Sequence, residues 1–84
     1  MKKIKITLED SSLIDRSFKV IAENYSGLSP NTEDGVRIDF EDAWVHMRKS
    51  NTEPIIRIFA EANSQDIADS YALKIEKEIK SISA

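Results

Sequence analysis

The chain contains no cysteine among its 84 residues, which excludes disulfide bonds and thiolate metal sites. It also has no apolar run that approaches the roughly 20 residues a membrane-spanning helix needs. The first residues, up to Glu9, lack the continuous apolar stretch of a secretory signal. We therefore expect a cytoplasmic protein that does not associate with membranes.

Positive charge is in short supply as well. The chain has 12 Lys and Arg residues against 15 Asp and Glu residues, for a net charge of −3. Domains that bind nucleic acid are usually basic, so a nucleic-acid partner is not expected. A chain of this length forms a single domain, here residues 1–84, and buries only about 60% of its unfolded surface.

Candidate metal or proton-transfer residues are sparse. His46 is the single histidine, and the spacing offers it no acid or orienting partner, so a structural or surface role is expected. The carboxylates at 34, 39, 41 and 42 lack the glycine and the bidentate glutamate of a calcium loop. We expect a solvated turn there, and no cofactor or metal in this domain.

Alternation of apolar and polar residues predicts four strands. Residues 3–8 alternate, as do Val36 to Phe40, Trp44 to Arg48 and Ile55 to Ala60. Asp34-Gly35 is a turn signal, and Glu41-Asp42 is short enough for a hairpin between the second and third strands.

Apolar residues at helical spacing predict two helices, at residues 12–25 and roughly 65–82. Ser12 followed by Asp15 resembles a capping box for the first helix. Asn63-Ser64 has the chemistry of a cap for the second.

The order β-α-β-β-β-α predicts an α+β fold with two layers: a four-stranded, mainly antiparallel sheet with both helices on one face. The other face of the sheet is either solvated or docked on a neighbouring surface. We call it the open face, and its predicted members are Lys3, Lys5, Arg37, Asp39, Trp44, His46, Arg57 and Phe59.

The segment from Arg48 to Pro54, between the third and fourth strands, has the composition of an anion-binding loop. Arg48 supplies a planar fork of donors that matches the edge of a phosphate. Ser50 and Thr52 supply rotatable hydroxyl donors, and Asn51 supplies an amide NH₂. An ordinary polar hairpin loop is the alternative that composition alone leaves open.

Three strings, in register, resemble a known family: Asp34-Gly-Val-Arg-Ile-Asp-Phe, Arg48-Lys-Ser-Asn-Thr-Glu-Pro, and Arg57-Ile-Phe-Ala-Glu-Ala. Together with Trp44 they resemble the C-terminal domain of the α-D-phosphohexomutases, from about residue 5 onward. With Asn51 rather than glycine at that position, the loop resembles those of the phosphomannomutase and phosphoglucomutase members more than those of the phosphoglucosamine mutases. Lys49 stands where many members have proline, which suggests a looser loop or an added charge for the ligand.

The resemblance implies an isomerase that moves a phosphoryl group between O1 and O6 of a hexose phosphate. This domain would hold the phosphate at the non-reacting end of the substrate through Arg48, Ser50, Asn51 and Thr52. A phosphoserine, a Mg²⁺ and a sugar-reading loop would lie in other domains of the same longer chain.

The 84 residues contain no phosphoserine loop of the Ser-His-Asn-Pro type and no Asp-x-Asp-x-Asp metal loop. We therefore expect a piece of a longer enzyme that is inactive alone. The alternative is a freestanding α+β module that binds an anionic metabolite or a protein partner.

Overall fold

A four-stranded sheet and two helices form the fold in the computed structural model, which describes residues 1–50 and 54–83. The sheet has the order β1-β4-β3-β2, and every neighbouring pair of strands is antiparallel. The α+β prediction is therefore confirmed. The elements are β1 (Lys2–Thr7), α1 (Ser11–Asn24), β2 (Val36–Asp39), β3 (Ala43–Lys49), β4 (Ile55–Ala62) and α2 (Gln65–Ser83), with a short 3₁₀ turn at Ser26–Leu28.

The core lies between one face of the sheet and both helices. Every second residue of each strand faces the helices, because successive side chains point to opposite faces of the sheet. Each helix contributes one apolar stripe. The main buried residues are Ile6, Val36, Ile38, Val45, Met47, Ile56, Ile58 and Ala60 from the sheet, and Ile14, Ile21, Ala68, Ala72, Ile75 and Ile79 from the helices. The strand residues between them point the other way and form the open face.

The two helix starts differ in how well the sequence predicts them. The capping prediction for Ser12 is wrong, because Asp10 is the cap: its Oδ1 accepts a hydrogen bond of 2.9 Å from the Ser12 backbone N–H. Ser12 itself lies within the first turn of α1. The second prediction is confirmed, since Ser64 Oγ accepts from the Ile67 N–H at 3.2 Å.

The turn before β2 is pressed against β3. Gly35 has a φ of +71°, a conformation that residues with a Cβ adopt at a cost. A Cβ at this position would overlap the carbonyl oxygen of Met47 and crowd the Cα of Arg48. Glycine therefore allows the turn to lie directly beside the end of β3.

Neither helix in the described part of the chain is long and apolar enough to cross a membrane.

Replacing Ser17 with alanine is expected to stabilise the protein. The Ser17 side chain is fully buried in α1, and its hydroxyl has no hydrogen-bond partner among the described residues. Removing it relieves an unmet desolvation cost and improves helix propensity, so the free energy of unfolding should rise by about 1 kcal/mol. Urea denaturation measures this, with the exposed Ser70→Ala in α2 as a control for propensity alone. A gain no larger than that of the control would show that the hydroxyl is satisfied.

Replacing Gly35 with alanine is expected to reduce the free energy of unfolding by about 2–4 kcal/mol, because the positive φ and the contact with Met47 both oppose a Cβ. Gly27→Ala is the matched control, since a Cβ there has nothing within 4 Å. Its effect should stay within about 0.5 kcal/mol. Equal unfolding curves for the two variants would contradict the close approach.

Candidate phosphate-binding site

Three cationic side chains lie in one row across the open face of the sheet. Lys5 in β1 is directly opposite Arg57 in β4, and Arg57 is directly opposite Arg48 in β3. All three residues are exposed. Directly opposed residues have Cβ atoms about 5 Å apart, and like charges at that spacing destabilise a sheet. An anion bound over the row would offset this repulsion, so the row favours an anion site.

The loop between β3 and β4 begins and ends beside this cationic row. The Ser50 backbone N–H donates to the carbonyl oxygen of Ile55 at 3.0 Å, which holds the two ends of the loop together. The Leu8 N–H donates to the carbonyl oxygen of Pro54 at 2.7 Å, which ties the β4 end of the loop to the residue after β1. The loop therefore leaves and re-enters the sheet at the cationic row.

Two of the four predicted site residues lie within the described part of the chain. Arg48 is on the open face at the end of β3, and Ser50 follows the last residue of that strand. The predictions for Asn51 and Thr52 fall outside the described residues and stay predictions. Arg57 and Lys5 are additions from the structure, because only the strand pairing shows that they lie beside Arg48.

Asp34 is a further neighbour of Arg48, a contact that the sequence did not predict. Its Oδ2 lies 3.2 Å from Nη2 of Arg48, in an exposed ion pair. The sequence placed Asp34 in a turn, in an acidic run and in the family resemblance, but not beside Arg48, since the approach of this turn to β3 depends on tertiary packing. The structure thus places one carboxylate at the Arg48 end of the cationic row.

His46 supports the same turn. Its Nε2 lies 2.7 Å from the backbone carbonyl oxygen of Asp34. A carbonyl only accepts hydrogen bonds, so Nε2 carries the proton and donates. The contact agrees with the structural role predicted for His46, and its partner is a backbone group.

Lys49 points away from this site. It lies opposite Ile56, whose side chain is in the core, so it is on the helix side of β3. Its Nζ is 3.7 Å from Oδ1 of Asp15 in α1. The suggestion that Lys49 adds a charge for the ligand is therefore not supported by its position.

The aromatic residues of the open face are partly covered. Trp44 lies under Arg37, whose guanidinium carbon is 4.7 Å from the ring centre, and Arg37 also pairs with Asp39 at 3.1 Å. Phe59 lies beside Lys3 in a shallow depression that also borders Lys5 and Arg57. Trp44 is thus engaged within the sheet, two rows away from Arg48.

Among the described residues, two phenols have a shifted pKa, and both lie away from the cationic row. Burial, with a hydrogen bond to Glu78 at 2.6 Å, raises the pKa of Tyr25. A hydrogen bond to Asp42 raises the pKa of Tyr71. Phe40 stacks on Tyr71 and meets Tyr25 edge to face, so this cluster ties the β2–β3 hairpin to the helices.

Within residues 1–50 and 54–83, no three His, Asp or Glu side chains come together in a group able to hold a metal ion. The charged groups that the described residues bring to the cationic row are the side chains of Lys5, Arg57 and Arg48, which are types of donor that favour anions.

Comparison with known proteins gives the family. Residues 4–78 match the family model described as the C-terminal domain of phosphoglucomutase/phosphomannomutase. The chain is 40% identical over 77 residues to a phosphoglucosamine/phosphogalactosamine mutase of Sulfurisphaera tokodaii, covering 89% of this chain and 17% of that protein. It is 34% identical over 82 residues to a probable phosphoglucosamine mutase of Pyrococcus horikoshii, covering 96% of this chain and 18% of that protein.

A phosphoglucomutase/phosphomannomutase of Thermococcus kodakarensis is 53% identical over 45 residues, or 54% of this chain and 10% of that protein. Relatives of both kinds thus occur, so the preference inferred from Asn51 stays a prediction. The chain spans less than a fifth of the length of these curated relatives. The match over residues 4–78 and the resemblance in its strands and loop agree, and the chain belongs to the phosphoglucomutase/phosphomannomutase family as its C-terminal domain.

Proposed function

We propose that this chain holds the phosphate group of the substrate in a mutase that interconverts hexose 1-phosphates and hexose 6-phosphates. The observation that carries the proposal is the placement of Arg48 and Arg57 opposite each other where the loop from Ser50 to Ile55 closes. Family membership supplies the reaction class, since the relatives are described as mutases. The activity of the whole enzyme is part of the proposal.

The proposed site recognises a phosphate dianion by charge and by hydrogen-bond geometry. The guanidinium of Arg48 presents two parallel N–H donors that fit two phosphate oxygens. Arg57 adds a second positive charge from the neighbouring strand. Ser50, with Asn51 and Thr52 as predicted, supplies hydroxyl and amide donors from the loop. In this proposal the domain contacts the phosphate group of the substrate and not its sugar ring.

Exposure sets the strength of binding. The Arg48 side chain is 54% exposed, and charge pairs in such surroundings are weakened by solvent. The isolated domain supplies only part of the substrate's contacts, so we expect a millimolar dissociation constant. That corresponds to a binding free energy of roughly −4 kcal/mol. In the longer enzyme, linkage to other domains raises the effective concentration of this site at the substrate.

The contribution to catalysis is positioning rather than bond making. Holding one phosphate fixes the far end of the sugar while the other end reacts elsewhere. The chain carries no phosphoserine loop, so the 84 residues alone are expected to show no mutase activity. The Mg²⁺ that the family resemblance implies for the longer enzyme is expected to bind outside this chain.

Arg48→Ala is expected to weaken phosphate binding at least tenfold, because it removes charge-assisted hydrogen bonds worth about 1.5–3 kcal/mol. Amide chemical shifts of the 84-residue chain, titrated with glucose 1-phosphate, mannose 1-phosphate and glucosamine 1-phosphate, measure the affinity. Arg37→Ala is the matched control: it lies on the same face but pairs with Asp39. Its affinity should match that of the unmodified chain.

Two results of this titration would contradict the proposal. The first is that no shifts appear around residues 48–52 with any of the sugar phosphates. The second is that the shifts spread over α1 and α2 or accompany dimer formation. That pattern would favour the freestanding module that binds another metabolite or a protein partner.

A further inference from the structure

We propose that Asp34 is an internal counter-ion of the phosphate site, which competes with the phosphate for Arg48 and so limits how tightly the phosphate is held. This inference rests on the proposed function, since it concerns the same Arg48. The starting observation is the ion pair of 3.2 Å between Oδ2 of Asp34 and Nη2 of Arg48.

The backbone of Asp34 is held in place on β3. His46 Nε2 donates to its carbonyl oxygen at 2.7 Å, and the next residue, Gly35, lies against the carbonyl of Met47. The positive φ of Gly35 fits this approach without a steric cost. The turn therefore presents the carboxylate of Asp34 within reach of the end of β3.

The side chain of Asp34, in contrast, is free to exchange. It is 71% exposed, and within residues 1–50 and 54–83 its carboxylate pairs with Arg48 alone. Exposed ion pairs of this kind contribute little to stability, so a ligand can displace the carboxylate without disturbing the turn. A fixed backbone with an exchangeable carboxylate is the arrangement that a reversible counter-ion requires.

The electrostatics give the sign of the effect. A carboxylate and a phosphate dianion are both acceptors and both negative, so they compete for the same donors of Arg48 and repel each other. Other carboxylates near this part of the sheet have different partners: Asp15 pairs with Lys49 and Asp39 pairs with Arg37. Removing the charge at position 34 should therefore increase the affinity for phosphate.

Asp34→Asn tests this, because asparagine keeps the size of the side chain and tolerates the same turn. Asp39→Asn is the matched control. It removes the same charge from the same face, from a carboxylate of similar exposure, 65% against 71%, that pairs with an arginine. Any general effect of net charge on phosphate binding is then common to both variants.

The experiment is a titration of the 84-residue chain and both variants with inorganic phosphate, followed by amide shifts of residues 48–50. Far-UV circular dichroism and urea unfolding check that each variant keeps the fold. We expect Asp34→Asn to bind phosphate about two- to fivefold more tightly than the unmodified chain, and about fivefold is the upper limit that one exposed charge pair allows. Asp39→Asn should change the affinity less than about twofold.

The outcomes separate this inference from the proposed function. If the unmodified chain binds phosphate and Asp34→Asn binds equally or more weakly, the counter-ion role is overturned while the phosphate site stands. Weaker binding would show that Asp34 instead orients Arg48. If neither the chain nor Asp34→Asn binds phosphate, both the proposed function and the inference fail. Tighter binding by Asp34→Asn alone supports the inference.

Discussion

The antiparallel pairing of β3 with β4 sets both the core and the charged surface of this domain. It brings Arg48 opposite Arg57 and Met47 opposite Ile58, so one register builds the cationic row and the core together. A shift by one residue would turn Ile56 and Ile58 toward solvent, because side chains alternate between the two faces. The burial of the core therefore also determines which charges meet on the open face.

The candidate site is positively charged, although the whole chain is negatively charged. The net charge is −3, yet Lys5, Arg57 and Arg48 form a continuous row at one end of the sheet. Like charges in such a row lower stability, and the ion pair with Asp34 offsets part of this cost for Arg48. The domain thus tolerates an arrangement that suits an anionic ligand more than it suits the isolated fold.

One face of β3 packs against the core and the helices, and the other carries the residues of the candidate site. On the core side, Met47 packs in the interior, and Lys49 pairs with Asp15 of α1. On the open side, Arg48 and His46 meet the turn that carries Asp34. Because the core side anchors the strand to the helices, the groups on the open side stand on a rigid element. A site supported in this way holds its geometry better than one built from loops alone.

The order of the elements and the face of each strand were predictable from sequence, because alternation and helical spacing are local patterns that burial enforces. The start of α1 was not, since Ser12 and Asp10 are both good caps and only the packed structure shows that Asp10 Oδ1 is the acceptor. Ser64 was predictable because it directly precedes the apolar stripe of α2.

The family, the α+β architecture and the loop that begins at Arg48 as a candidate site all follow from the sequence, because these depend on residue types at short spacing. The packed fold was needed to show that Arg57 and Lys5 join Arg48, that Lys49 turns to the helix side, and that Asp34 meets Arg48. Those contacts join residues far apart in the chain. They follow from strand register and from the close approach that Gly35 permits, which no local pattern encodes.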